Sequence, residues 1–204
     1  MSKIPASGQP VFTFAEECDP GKVRDENQDS VLHVRVPLGE LLIVADGMGG
    51  YAGGAVASRM VVENFLAHLA TLPKDYPPDQ AIREASVRAN SSVVTASQAP
   101  GSPYQRMGST VVLALLQQDA TGARAWIGHI GDSRAYLVRA GRLNRLTVDH
   151  STVEALLNRN LITPEEAVNH PDASVLTRSL GHKAEVEIDV DQYPLAAGDT
   201  LLLC

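Results

Sequence analysis

Apolar residues fall into two rhythms along this chain. Short β-rich runs at 11–16, 30–36 and 40–45 predict three early strands, with Pro37 and Gly39 making a hairpin-like turn between the second and third. From 54 to about 72, Val56, Met60, Val61, Phe65, Leu66 and Leu69 recur at helical spacing, and Pro73 ends the run. A second helix is predicted over 78–96. The connection between the two is short, so they are expected to lie antiparallel on one side of a sheet. Beyond a Gly, Ser and Pro-rich loop at 99–106, strands are predicted at 109–117, 123–130, 133–139 and 142–146, with Ala140-Gly141 as a tight turn. Short helices at 151–158 and 164–168 precede final strands at 186–193 and 200–204. Runs of strands alternating with runs of helices, rather than strict βαβ units, predict an α+β fold with mainly antiparallel sheets.

Composition narrows the function classes. A chain of 204 residues, 44% hydrophobic and without repeats or long linkers, is expected to form a single domain over 1–204 with a sizeable core. The net charge of −7 is spread along the chain, and no Lys/Arg run could neutralise a row of phosphates, so neither nucleic acid nor an anionic membrane is an expected partner. Cys18 and Cys204 are far apart and lack zinc or disulfide spacing, which fits a reducing compartment. The first residues lack the order of a signal peptide and no apolar run approaches the roughly 18 residues of a membrane span, so the cytoplasm is expected.

The sharpest local feature is LLIVADGMGGYAGG at 41–54, an apolar strand delivering Asp46 into a glycine-rich bend that opens a helix. A carboxylate at a buried strand's end is costly unless paired, and oxygen-seeking cations are a common remedy. A plain helix cap and turn would use the same residues. The segment also matches a loose dinucleotide-binding glycine pattern, but Asp46 would stand beside the pyrophosphate and the next element is a helix, not a parallel strand. Upstream, GKVRDENQDS at 21–30 imitates the start of an EF-hand loop, with Ser30 where glycine is needed and Val36 where glutamate is needed. HIGDSRAY at 129–136 repeats the arrangement of a strand ending at Gly-Asp; a hairpin turn is the simple reading of Gly131 and Asp132. Asp29, Asp46 and Asp132 nevertheless each fall at a strand edge or turn, and converging carboxylates repel unless cations lie between them. His129 and His150 have no paired ligand at metal-binding spacing and read as satisfied structural imidazoles. Neither a Gly-x-Ser-x-Gly elbow nor a HExxH helix occurs.

Four segments in fixed order, RDENQDS at 24–30, VADGMGGYAGG at 44–54, MGSTVV at 107–112 and HIGDSRAYLVRAGRLNRLTVDHS at 129–151, resemble the bacterial branch of the metal-dependent type 2C protein serine/threonine phosphatases. The resemblance spans about 12–204. It implies two stacked antiparallel sheets flanked by helices, an α-β-β-α sandwich, with a flap-like subdomain at about 150–181. It also implies a dinuclear Mn²⁺ or Mg²⁺ site with a third, weaker ion beside it. Asp46 would bridge two metals, the Gly47 carbonyl would bind one, Asp29 would hold metal-bound waters, and Asp132 would serve the third ion. Arg24 would grip the substrate phosphate, and 173–178 would influence access. Expected partners are phosphorylated proteins, including a serine/threonine kinase or its substrates, acted on by a monomer.

Three departures accompany the resemblance. Met48 stands where animal members carry a histidine proposed as general acid, and Met48 cannot donate a proton. Gln28 occupies a position often held by glutamate. The run ending LLLC resembles a strand that in the family continues into Ser-Asp-Gly, so a C-terminally truncated domain is expected, without two downstream aspartates that serve as metal ligands. A phosphoprotein-binding module without turnover is therefore a competing expectation.

Overall fold

The computed structural model describes residues 12–22, 26–49 and 53–204. The elements run β1 (Asp29–Val36), β2 (Gly39–Met48), α1 (Gly53–Leu69), α2 (Pro78–Gln98), β3 (Gly108–Ser109), β4 (Val111–Asp119), β5 (Gly122–Ile130), β6 (Ala135–Arg139), β7 (Arg142–Arg145), α3 (Thr152–Asn158), α4 (Pro164–Val168), β8 (Asp189–Leu195) and β9 (Thr200–Leu203). One sheet has the order β1-β2-β4-β5-β8, with β3 extending the end of β2; the other has the order β7-β6-β9. Every pairing is antiparallel. The expected α+β class with two antiparallel sheets is therefore present.

Alternation along β4 explains how the layers stack. Val111, Leu113 and Leu115 belong to the core beneath the helices, together with Leu41, Ile43, Ala45, Phe65 and Ile82. Val112, Ala114 and Leu116 point the other way, into a second core with Ala125, Ile127 and Ala135 that Leu201 and Leu203 help to cover. A strand whose side chains are apolar on both faces must be central, because each face needs its own cover. Each large aliphatic side chain buried in this way contributes about 1.5–3 kcal/mol. Helices α1 and α2 pack against each other, and both touch the larger sheet.

Three boundaries differ from the sequence-based expectation. No strand forms in the described part of 11–16. Phe12 instead packs, partly buried, on the inter-sheet core, and the exposed Phe14 stacks its ring on His33 at 3.8 Å, so these apolar residues dock through their rings rather than by ladder pairing. Strand β2 continues past Ala45 to Met48, which keeps Asp46 and Gly47 within the ladder. The strand predicted from 186 begins at Asp189, and the carbonyls of Glu187 and Ile188 accept hydrogen bonds from Arg178 Nη1 (3.3 Å) and Arg83 Nη1 (2.8 Å) in place of strand neighbours.

Residues 150–181 are tied to the larger sheet by side chains that are remote in sequence. The rings of His129 and His150 stack with centroids 4.6 Å apart, and both residues are buried. His150 Nδ1 accepts from the Gly131 N–H (3.2 Å), so its proton is on Nε2, which faces Asp189 Oδ2 at 3.0 Å. Arg178 donates to the other oxygen of Asp189 at 2.6 Å. The nitrogens of this cluster could geometrically converge on a cation, as the ligand atoms of His129, His150 and Asp189 lie within 4.8 Å of one another. His129 Nε2, however, is engaged with the Val148 carbonyl at 2.8 Å, and both nitrogens of His150 have partners. The structural reading of both histidines therefore accounts for their hydrogen bonds.

Burial, the largest effect, holds the His150 pKa below its ordinary value against the opposing hydrogen bond to Asp189, and the charges of His129 and Arg178 lower it further. Burial alone would raise the Asp189 carboxyl, but the hydrogen bonds from Arg178 and His150 prevail and lower it. Both shifts have the same sign for stability. The unfolded chain takes up a proton at His150 near pH 6.5, and at Asp189 near 3.8, before the folded protein does. Urea unfolding measured across pH should therefore show stability beginning to fall as pH drops through about 6.5, and Asp189→Asn should flatten the lower part of that profile. In the core, Leu113→Ala should cost about 2–5 kcal/mol in the same measurement at neutral pH.

Candidate functional site

Asp46 lies where β2 leaves the core: Ala45 is buried beneath the helices and Asp46 is exposed at the sheet edge. Three hydrogen bonds pin its backbone. Its N–H donates to Thr110 Oγ1 (3.0 Å), and its carbonyl accepts from the Thr110 N–H (2.9 Å) and from Ser109 Oγ (3.0 Å). Directly opposite Asp46 in the β1–β2 register stands Asp29. Side chains so paired project to the same face with Cβ atoms about 4.5–5.5 Å apart, and like charges directly opposite each other are unfavourable. The Asp29 N–H is in turn capped by Asn27 Oδ1 at 2.9 Å.

Next to Asp46 the backbone is packed too tightly for side chains. A Cβ on Gly47 would lie 1.9 Å from the Gly54 carbonyl oxygen and 2.7 Å from that of Gln28; one on Gly54 would lie 2.7 Å from the Gly47 oxygen. Glycine is required at both positions. The Gly47 N–H donates to the Gln28 carbonyl at 3.0 Å, which joins the end of β2 to the residue preceding Asp29. The first turn of α1 thus closes on the end of β2 at Gly47.

Asp132 reaches the same place from the β5–β6 turn. Gly131 has φ 102° and sits against Thr110, whose Cγ2 would be 2.6 Å from any Cβ there. Thr110 Oγ1 also shares a 2.6 Å hydrogen bond with Ser133 Oγ, so one threonine holds the strand bearing Asp46 and the turn bearing Asp132. From the other side His150 clamps Gly131 twice, through its N–H to the Gly131 carbonyl (2.9 Å) and through Nδ1 from the Gly131 N–H. Arg134 forks onto Asp149 with hydrogen bonds of 2.6–3.1 Å. The long motif at 129–151 is therefore one stitched unit, with each of its ends fixing the other.

These elements enclose an open cleft of about 470 Å³ lined by Gln28, Asp46, Gly47, Met48, Gly49, Thr110, Asp132, Ser174, Leu176, Ser179 and His182. The structure brings Asp46, Gly47 and Asp132 to one cleft and places Asp29 across the ladder from Asp46. Arg24 lies outside the described residues. The donor set is carboxylate and backbone oxygen, which suits hard divalent cations and not zinc held by sulfur or imidazole. Sequence reasoning passed over His182 and Ser179, whose side chains meet at 2.6 Å on the cleft wall. Nothing in their spacing announces a site, because the loop that carries them is brought to the cleft by pairing of Leu180 with Ser109.

Comparison with known proteins agrees with this geometry. The model of the family described as Protein phosphatase 2C matches residues 22–204. The serine/threonine protein phosphatase PstP of Mycobacterium tuberculosis is 40% identical over 197 residues, covering 95% of this chain but 36% of the mycobacterial protein. The serine/threonine phosphatase stp of Listeria monocytogenes is 34% identical over 190 residues, or 91% of this chain and 73% of its own length. The chain thus spans about a third of the first relative and nearly three quarters of the second. Among solved structures, the catalytic domain of PstP in complex with two manganese ions superposes with a TM-score of 0.74 at 36% identity, covering 92% of this chain and 74% of that one. With the family model matched over almost the whole sequence, this chain belongs to the protein phosphatase 2C family.

Proposed function

We propose that this chain hydrolyses phosphoserine and phosphothreonine in proteins, using Mn²⁺ or Mg²⁺. The observation that carries this reading is the convergence of Asp46 and Asp132 on one open cleft, with Asp29 opposite Asp46 in the ladder. Asp46 and the Gly47 carbonyl would hold the cations, Asp29 would orient their waters, and Asp132 would serve a third ion. When bound, such cations neutralise phosphoryl charge and make water a better nucleophile at neutral pH. The chain's own residues bind and orient. Asp46 is held in the ladder at its N–H and carbonyl, which fixes the strand end that carries its carboxylate. Arg24 is assigned to the phosphate, since a planar guanidinium can engage two phosphoryl oxygens at once. The net reaction consumes one water and yields a free hydroxyl and inorganic phosphate.

The relatives named as serine/threonine phosphatases support turnover over mere binding of phosphoproteins. Residues 150–181 border the cleft through Ser174, Leu176 and Ser179, which supports a role for this segment as a flap that shapes access. The partners would be phosphorylated proteins, including a serine/threonine kinase or its substrates, met by a monomer in the cytoplasm. No helix among the described residues is long and apolar enough to cross a membrane.

Two tests follow from this assignment. Mn²⁺-dependent phosphate release from a phosphothreonine peptide should be lost with EDTA and with Asp46→Ala, and Asp132→Ala should weaken it less than Asp46→Ala; Mn²⁺-independent release would overturn the reading. Thr110→Val removes the hydroxyl that serves both Asp46 and Ser133, and should cost about 1–3 kcal/mol of stability. The same variant should weaken Mn²⁺ binding in calorimetric titration, because both carboxylates lose a common anchor.

A further inference from the structure

Phosphate leaving a serine must abandon an alkoxide, which is a poor leaving group until it gains a proton. Cations and a guanidinium stabilise phosphoryl oxygens, and the proton must come from a bound water or from a side chain of the cleft. Among the described side chains lining the cleft, the candidates are few. Asp46 and Asp132 are the carboxylates assigned above to the cations. The Thr110 hydroxyl is occupied by Ser133 and by the Asp46 N–H. Met48 and Leu176 carry no exchangeable proton. His182 is the only imidazole among the described residues of the lining, and imidazole is the side chain whose ordinary titration lies closest to neutrality.

Its setting is specific. Ser179 is buried, and its Oγ meets His182 Nδ1 at 2.6 Å. That bond fixes the ring plane and leaves Nε2 without a hydrogen-bond partner among the described residues. The ring lies over Gly108, where a Cβ would come within 2.7 Å of Cε1 and 3.0 Å of Nδ1. Gly108 is the direct ladder partner of Met48, two residues beyond Asp46. The absent side chain at 108 is thus the space the imidazole occupies, beside the strand end that delivers Asp46 and on the wall of the same cleft. His182 is itself exposed, so it can exchange protons with solvent between turnovers.

We infer that His182 is the general acid that protonates the departing serine or threonine oxygen, with Ser179 as its positioning residue. This rests on the phosphatase reading above. As water attacks, its oxygen forms a bond to phosphorus while the bond from phosphorus to the serine oxygen breaks and its electron pair stays on that oxygen. The imidazolium Nε2 proton passes to the serine oxygen, while Nδ1–H remains held by Ser179 Oγ. The products are the serine hydroxyl, inorganic phosphate and a neutral imidazole, which regains a proton from solvent; the attacking water releases one to solvent.

A general acid matters most when the leaving group is basic, and its removal typically costs 10²–10⁴-fold. The test compares wild type, His182→Gln and Ser179→Ala on a phosphoserine peptide and on p-nitrophenyl phosphate, whose phenolate departs readily without help. His182→Gln should lose about 100-fold or more in kcat on the peptide and only a few-fold on the aryl ester. Ser179→Ala should show the same selectivity with a smaller loss. Calorimetric Mn²⁺ titration of His182→Gln should match wild type. Equal losses on both substrates, or no loss on either, would overturn the assignment, as would weakened Mn²⁺ binding, which would make His182 a ligand. Wild-type protein that shows no Mn²⁺-dependent hydrolysis of the aryl ester would instead overturn the phosphatase reading itself, and this inference with it.

Discussion

Like charges brought together repel, and this fold brings them together by backbone pairing that the carboxylates themselves cannot escape. The register that sets Val31 against Val44 and Leu32 against Ile43 also sets Asp29 against Asp46. A one-residue slip would relieve the pair but would turn Leu41, Ile43 and Ala45 out of the helix-side core. The apolar alternation therefore enforces the electrostatic conflict. An oxygen-lined cleft at the sheet edge is the place where a divalent cation can turn that conflict into binding energy.

Thr110 is the point at which this edge becomes a site. It lies between β3 and β4, is fully buried, and its hydroxyl joins the Asp46 backbone to the Ser133 hydroxyl, while its methyl abuts Gly131. Asp46 and Asp132 are 86 residues apart in the chain (132 minus 46), yet both take their position from this one side chain. Rigid placement matters more for ligands to small cations than for surface charges, because coordination tolerates little displacement.

Much of the fold was legible because the two hydrophobic periods are strong: the helices at 53–69 and 78–98 and the central strands announce themselves by spacing alone. The run at 11–16 misled because Phe12 and Phe14 dock through their rings, a tertiary outcome with the same local pattern as a strand. Asp29, Asp46 and Asp132 could be picked out since each follows or precedes an apolar run at a turn. The histidines could not be placed in that way. His129 and His150 stack across the gap between separate segments, and His182 reaches the cleft through the bridge from Leu180 to Ser109, so their partners are set by topology and leave no local trace.

The stem at the base of residues 150–181 has an evolutionary implication. Ser151 bridges Leu176, the Thr152 N–H donates to Val175, and the Thr177 N–H donates to His150, so the chain leaves and re-enters the body of the protein through one closed neck. Beyond that neck, α3 and α4 are capped locally by Ser151 and Thr163 and pack mainly on each other. Lengthening such an excursion adds only a slowly growing closure entropy, and the neck insulates the edge that carries Asp46 and Asp132 from what happens at the tip. The part beyond the neck can therefore be exchanged, shortened or elaborated without disturbing the strand ends that carry Asp46 and Asp132, which separates what the tip meets from what the sheet edge holds.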